Sequence, residues 1–177
     1  MKLKHFLIIA FLATFTACDT DDNLNISITE ADLIGTWNLK EQRIEDGSVS
    51  YVSSGKNITA LYSAYAKEIN MTLTFADNPK KASTEGKYTI VATATYNGRT
   101  ETEEEEVYAI NDPNENPNWE LDGNNITFSN DKNIPANLVV DSYDGKTLRL
   151  KAIVNQTEKD GLESITIKGT MYMVLEK

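Results

Sequence analysis

Apolar and polar positions alternate along most of this 177-residue chain. Ile69, Met71, Leu73 and Phe75 take turns with Asn70, Thr72 and Thr74, the period of two of a strand that buries one face. Ile165, Ile167, Gly169, Met171, Met173 and Leu175 form a second such face, and Leu148, Leu150, Ala152 and Val154 a third. Reversal signals fall between the runs. Asn97-Gly98 is the favoured two-residue hairpin turn, and Asp122-Gly123, Asp144-Gly145 and Asp160-Gly161 mark further turns. The pattern predicts strands near 36–44, 69–76, 87–96, 100–110, 118–122, 125–129, 137–142, 146–154 and 163–176. Thr29, followed by Glu30, Ala31 and Asp32, predicts a short helical turn at the start of the domain. Ala60–Lys67 fits either a second helical turn or a strand.

A succession of antiparallel strands joined by short turns defines an all-β domain over residues 28–177. Two solutions bury the alternating face, a β-sandwich or an up-and-down β-barrel. The length suits one domain with a proper core.

The first residues follow another pattern. Lys2 and Lys4 precede an apolar run from Phe6 to Phe15, which is too short to span a bilayer and ends in Phe15-Thr16-Ala17-Cys18. This reads as a lipoprotein signal peptide over residues 1–17, with Cys18 as the lipid attachment site and 18–27 as an acidic tether. Cys18 is the only cysteine of the chain, and lipid attachment explains an unpaired one in an exported protein. Asp19-Thr20-Asp21-Asp22 resembles the surface-export signal of Bacteroidetes-type lipoproteins, which implies a lipid-anchored, surface-exposed place on the outer membrane. The same residues also suit a solvated tether.

Charge and composition remove whole classes of function. Cleavage after Ala17 discards Lys2 and Lys4 but no acidic residue, leaving 15 basic and 27 acidic groups and a net charge of −12. No basic cluster is present to release counterions from a phosphate backbone, so nucleic acid is not an expected partner. Membrane contact is expected through the N-terminal lipid alone. The one histidine, His5, lies in the signal, so the processed domain lacks imidazole and free thiol. That excludes serine or cysteine nucleophiles served by histidine and the usual zinc sites. Paired carboxylates could serve glycoside hydrolysis, but in so acidic a chain pairs carry no information. Asp112, Asn114 and Asn116 alternate as in a calcium loop, yet Pro117 and Gly123 occupy the positions that need glycine and glutamate. The expectation is a non-enzyme without cofactor or metal.

Gly35-Thr36-Trp37, placed after the helical turn and opening the first strand, resembles the Gly-X-Trp hallmark of lipocalins. The segment Asn118-Trp119-Glu120-Leu121-Asp122-Gly123-Asn124-Asn125-Ile126-Thr127 and the ending Leu175-Glu176-Lys177 resemble lipocalin-like domains of Bacteroidetes-type lipoproteins. The resemblance implies an up-and-down barrel in which Gly35 and Trp37 close the floor beside a basic side chain from near the end of the chain. One departure is that the last strand has no arginine; Arg149 sits one strand earlier.

Met71, Phe75, Ile126, Phe128, Met171 and Met173 fall on faces expected to point inward. An eight-stranded barrel either fills with such side chains or holds one small ligand. Met71, Phe75, Phe128, Met171 and Met173 are therefore the candidate lining for a small apolar or amphipathic ligand. The competing expectation is a packed barrel whose outer loops contact a surface protein or a glycan. Glu101, Glu103, Glu104, Glu105 and Glu106 form an acidic run within one expected strand. A tight Asn97-Gly98 turn puts Glu101, Glu103 and Glu105 on the face of Tyr88, Ile90, Ala92, Ala94 and Tyr96. The costliness of unpaired buried carboxylates favours a bulge that turns them outward instead.

Overall fold

The computed structural model describes residues 27–53, 55–109, 116–130, 133–160 and 163–177. The signal peptide, Cys18, most of the acidic tether, Asp112 and Asn114 of the calcium-like pattern and the Asp160-Gly161 reversal at Gly161 lie outside them. The order is α1 (Glu30–Leu33), β1 (Gly35–Ser53), β2 (Lys56–Phe75), β3 (Ala82–Tyr96), β4 (Arg99–Tyr108), β5 (Asn118–Asp122), β6 (Asn125–Asn130), β7 (Asn133–Tyr143), β8 (Thr147–Asp160) and β9 (Glu163–Glu176). The strands form one antiparallel sheet in the order β4-β3-β2-β1-β9-β8-β7-β6-β5. Each strand pairs with its neighbour in sequence except across β4–β5, and β9 returns to β1.

The ladder does not close, since its end strands β4 and β5 are not paired with each other. They nevertheless approach each other near the start of β3. β4 runs along Lys87–Tyr96, whereas below it Lys81 bridges Asn118. The Ala82 N–H donates to the Pro117 carbonyl at 2.9 Å and the Trp119 N–H to the Lys80 carbonyl at 3.4 Å. The two edges of the sheet thus meet at the end that carries α1.

The alternating faces are the core. Leu148, Leu150, Ala152 and Val154 are all buried, as are Ile165, Ile167, Met171 and Leu175. On the outer face, hydroxyl pairs cross neighbouring strands, among them Thr36–Thr74, Ser50–Thr59, Thr93–Thr102 and Thr157–Thr166. Ala60–Lys67 is strand, and β1 and β2 run well past the expected 36–44 and 69–76. Bulges explain the difference. Buried positions on β1 run Trp37, Leu39, Gln42, Ile44, Gly47 and Val49, so the phase slips at each register shift and the period of two is lost to a sequence reading. Gly47 is essential to the second slip: a Cβ there would stand 2.6 Å from the Tyr62 carbonyl oxygen and 3.0 Å from that of Lys168.

α1 plugs the end where the sheet edges meet. The Asp32 carboxylate accepts from the Thr29 N–H at 2.8 Å and its hydroxyl at 2.6 Å, which fixes the first turn and holds the Asp32 carboxyl below its ordinary pKa. Trp37 is fully buried and donates from Nε1 to the Leu33 carbonyl at 2.7 Å. Its ring meets Tyr143 edge-on at 6.3 Å. Lys177 Nζ stands 4.6 Å from the Trp37 ring centroid and donates to the Asp32 carbonyl at 2.5 Å. A basic side chain from the end of β9 does reach the tryptophan, and it is a lysine rather than Arg149. Gly35, at φ +120, supplies the entry into β1.

Candidate functional site

Two parts of the described sheet bear on the candidate lining. The first is the inner face around the candidate lining. Phe75 is buried, meeting Trp119 at 5.4 Å and Phe128 at 6.0 Å, and Met171 is buried with its sulfur 3.5 Å from Gln42 Nε2. These two are tied into the core. Met71, Phe128 and Met173, from β2, β6 and β9, pack on the same core but keep solvent contact. Met173 does so between buried Met171 and Leu175 of its own face, and Phe128 beside buried Ile126.

The second is an opening in the wall. β1 and β2 are in register at Asn38↔Thr72 and again at Arg43↔Tyr65, leaving residues 39–42 opposite 66–71. Four residues cannot keep step with six, so the ladder is interrupted. Each strand is held on its far side, β1 by β9 through Leu39↔Leu175 and Gln42↔Met173, β2 by β3 through Ala66↔Ile90 and Lys67↔Thr89. Glu68 takes a left-handed turn at φ 52, and its carboxylate accepts from the Thr89 hydroxyl at 3.0 Å. Gly86 makes room opposite: a Cβ there would fall 1.9 Å from the Asn70 carbonyl oxygen.

The resulting open cleft of about 530 Å³ has Leu39, Ala66, Ile69 and Met71 among its walls, with Asn38, Lys40, Lys67, Glu68, Asn70 and Thr72 supplying polar groups. Met71 therefore belongs to both parts. The inner face also carries buried polar side chains. Tyr88 hydrogen-bonds Gln42, and burial raises the phenol of Tyr88 and pushes that of Tyr62 up to about 12, so both stay neutral.

The acidic run is arranged otherwise than expected. Asn97-Gly98 forms a two-residue turn and the β3–β4 ladder runs without a bulge, pairing Ile90↔Glu105, Ala92↔Glu103 and Ala94↔Glu101. Glu101, Glu103 and Glu105 thus share the face of buried Tyr88, Ile90 and Ala92 and are not turned outward. Glu101 and Glu105 remain exposed because β4 is an end strand, so for these two the desolvation cost that argued against this register does not arise, while Glu103 is half-buried. On the outer face Lys67 pairs with Glu104 at 2.7 Å and Lys87 with Glu106.

Among the described residues no group of three or more His, Cys, Asp and Glu side chains is placed to hold a metal ion. None of their helices is long and apolar enough to cross a membrane. The cleft was hidden from the sequence because it arises from a mismatch of two bulged strands; the left-handed Glu68 beside polar Asn70 leaves no local signal. No protein-family model matches the chain, and no curated protein is found similar to it.

Proposed function

We propose that this protein is a lipid-anchored, surface-exposed lipoprotein of an outer membrane. Its domain is a lipocalin-like up-and-down barrel that binds a small apolar or amphipathic ligand. The observation that carries the binding reading is Met71: it lies on the inner face and also lines the cleft between β1 and β2. Apolar ligand surface entering there would be stabilised by about 25 cal/mol per Å² removed from water, against thioether and aromatic side chains that adapt to its shape. Support for the barrel comes from the meeting of the sheet edges at Lys81 and Asn118 and from the Trp37–Lys177 floor. Cys18 carries the anchor, and no catalytic role is assigned to any side chain.

A hydrophobic fluorescent probe tests this reading. The unmodified domain should enhance its emission saturably, and Met71→Trp and Met173→Trp, which fill the accessible interior, should each abolish the enhancement. Emission that stays flat with the unmodified protein contradicts it. A second reading, a module whose outer surface contacts a surface protein or glycan, draws on Leu61 at 72% and Tyr108 at 60% exposure, large apolar groups left facing solvent on β2 and β4.

A further inference from the structure

We infer that the headgroup accepted at the cleft between β1 and β2 is a neutral saccharide, so that the amphipathic ligand is an alkyl glycoside or glycolipid; this rests on the binding reading above. The polar rim mixes Lys40 and Lys67 with Glu68, the amides of Asn38 and Asn70 and the hydroxyl of Thr72. It offers donors and acceptors together, from two ammonium groups, one carboxylate, two amides and a hydroxyl. Such a set suits a ring of hydroxyls, each of which donates and accepts, and mismatches a carboxylate or an ammonium, which needs one kind only. The two ammonium groups are moreover engaged, Lys67 with Glu104 at 2.7 Å and Lys40 near Glu176 at 4.0 Å. An anion would also approach against the net negative charge of the whole chain.

The lip adds an aromatic face. Tyr65, 52% exposed, closes the interruption at its upper end opposite Arg43. Arg43 is fixed there by Glu41 and Glu45 and lies 4.8 Å over the ring of Tyr172 on the next strand. An exposed tyrosine beside a cleft of amides and mixed charge gives the C–H face of a sugar a surface to cover while its hydroxyls meet the rim. The alkyl part would then follow Ile69 and Met71 inward.

Titration calorimetry on the full chain carrying Cys18→Ser, which prevents acylation, tests this with four probes used below their micellar concentrations. These are dodecyl maltoside, dodecanoate, dodecyltrimethylammonium and free maltose. Dodecyl maltoside should bind about tenfold more tightly than either charged amphiphile, and Tyr65→Ala and Asn70→Ala should each weaken it about fivefold or more while dodecanoate binding stays unchanged. Tyr65 is exposed, so thermal unfolding should show its variant folded. Equal binding of all three amphiphiles, insensitive to Tyr65→Ala, overturns the headgroup assignment and leaves apolar binding standing. Maltose binding that is lost in Tyr65→Ala, with no gain from the alkyl chain, upholds the saccharide and overturns the apolar reading. Absence of binding by every probe overturns both.

Discussion

Replacing Gly86 with alanine should unfold the wall that shapes the cleft. Gly86 has φ +98, and the added Cβ would lie 1.9 Å from the Asn70 carbonyl oxygen and 2.9 Å from its carbonyl carbon, where ordinary contact begins near 3.4 Å. The left-handed backbone costs an L side chain about 1–2 kcal/mol. Relieving the overlap means moving the β2 backbone, because the clashing atom is not a side chain that could rotate away, and overpacking of this kind costs about 1–3 kcal/mol more. The sum, about 2–5 kcal/mol, is a large part of the 5–15 kcal/mol typical of a domain. Gly98→Ala is the control, since it has φ +74 but no atom within 4 Å and so bears the backbone cost alone. Guanidinium unfolding followed by the emission of the buried Trp37 and Trp119 separates the two. At about 4 kcal/mol per M the midpoint should fall by about 1 M for Gly86→Ala and by about 0.3 M for Gly98→Ala. Equal midpoints for the two variants would refute the claim that the Asn70 carbonyl abuts Gly86.

Lys177→Met should lower stability by about 1 kcal/mol by removing the cation over Trp37 and the hydrogen bond to the Asp32 carbonyl, while Arg149→Met leaves the melting temperature unchanged. Asp32 and Asp144 are both held below their ordinary 3.8, the first mainly by the Thr29 hydroxyl and the second by the N–H groups of Thr147 and Lys146. Their stabilising effect is complete above that value and is lost as pH falls through the depressed folded values, so the melting temperature should drop more steeply below about pH 4 than in the Asp32→Asn/Asp144→Asn protein. Cys18→Ala should abolish incorporation of labelled fatty acid in a bacterial host; retained label would contradict lipid attachment at that residue.

What the sequence made legible follows from where period-two alternation survives. β8 keeps it over Leu148–Val154 and β9 over Ile165–Met173, with Val174 buried beside Leu175 at the end of β9, and their positions and buried faces agree with the reading. β1 loses it at two bulges. On β2 the buried Ala60, Tyr62 and Ala64 are small or polar-tipped while exposed Leu61 and Tyr65 look apolar, which inverts the signal. The outward placement expected of Glu101, Glu103 and Glu105 failed for a different reason. A desolvation cost opposes the tight turn, but the edge position of β4 removes it at Glu101 and Glu105, and the turn decides.

The candidate lining divided along lines that sequence cannot draw. Parity puts Phe75 and Met171 on the same faces as Met71 and Met173. Only the third dimension shows Phe75 edge-on to Trp119 and tilted against Phe128, with Met71 at the break between β1 and β2. The resemblance implies a basic partner for Trp37 from near the end of the chain, and Lys177 serves because what the ring and the Asp32 carbonyl require is a cationic donor within reach, not a planar one.

The most direct test of ligand binding is native mass spectrometry of the full chain carrying Cys18→Ser, incubated with lipid extract from a bacterial outer membrane and followed by organic extraction of whatever is retained. One added mass per chain that disappears on denaturation is expected, and its loss in the Met71→Trp protein. A bare mass before and after incubation would contradict it.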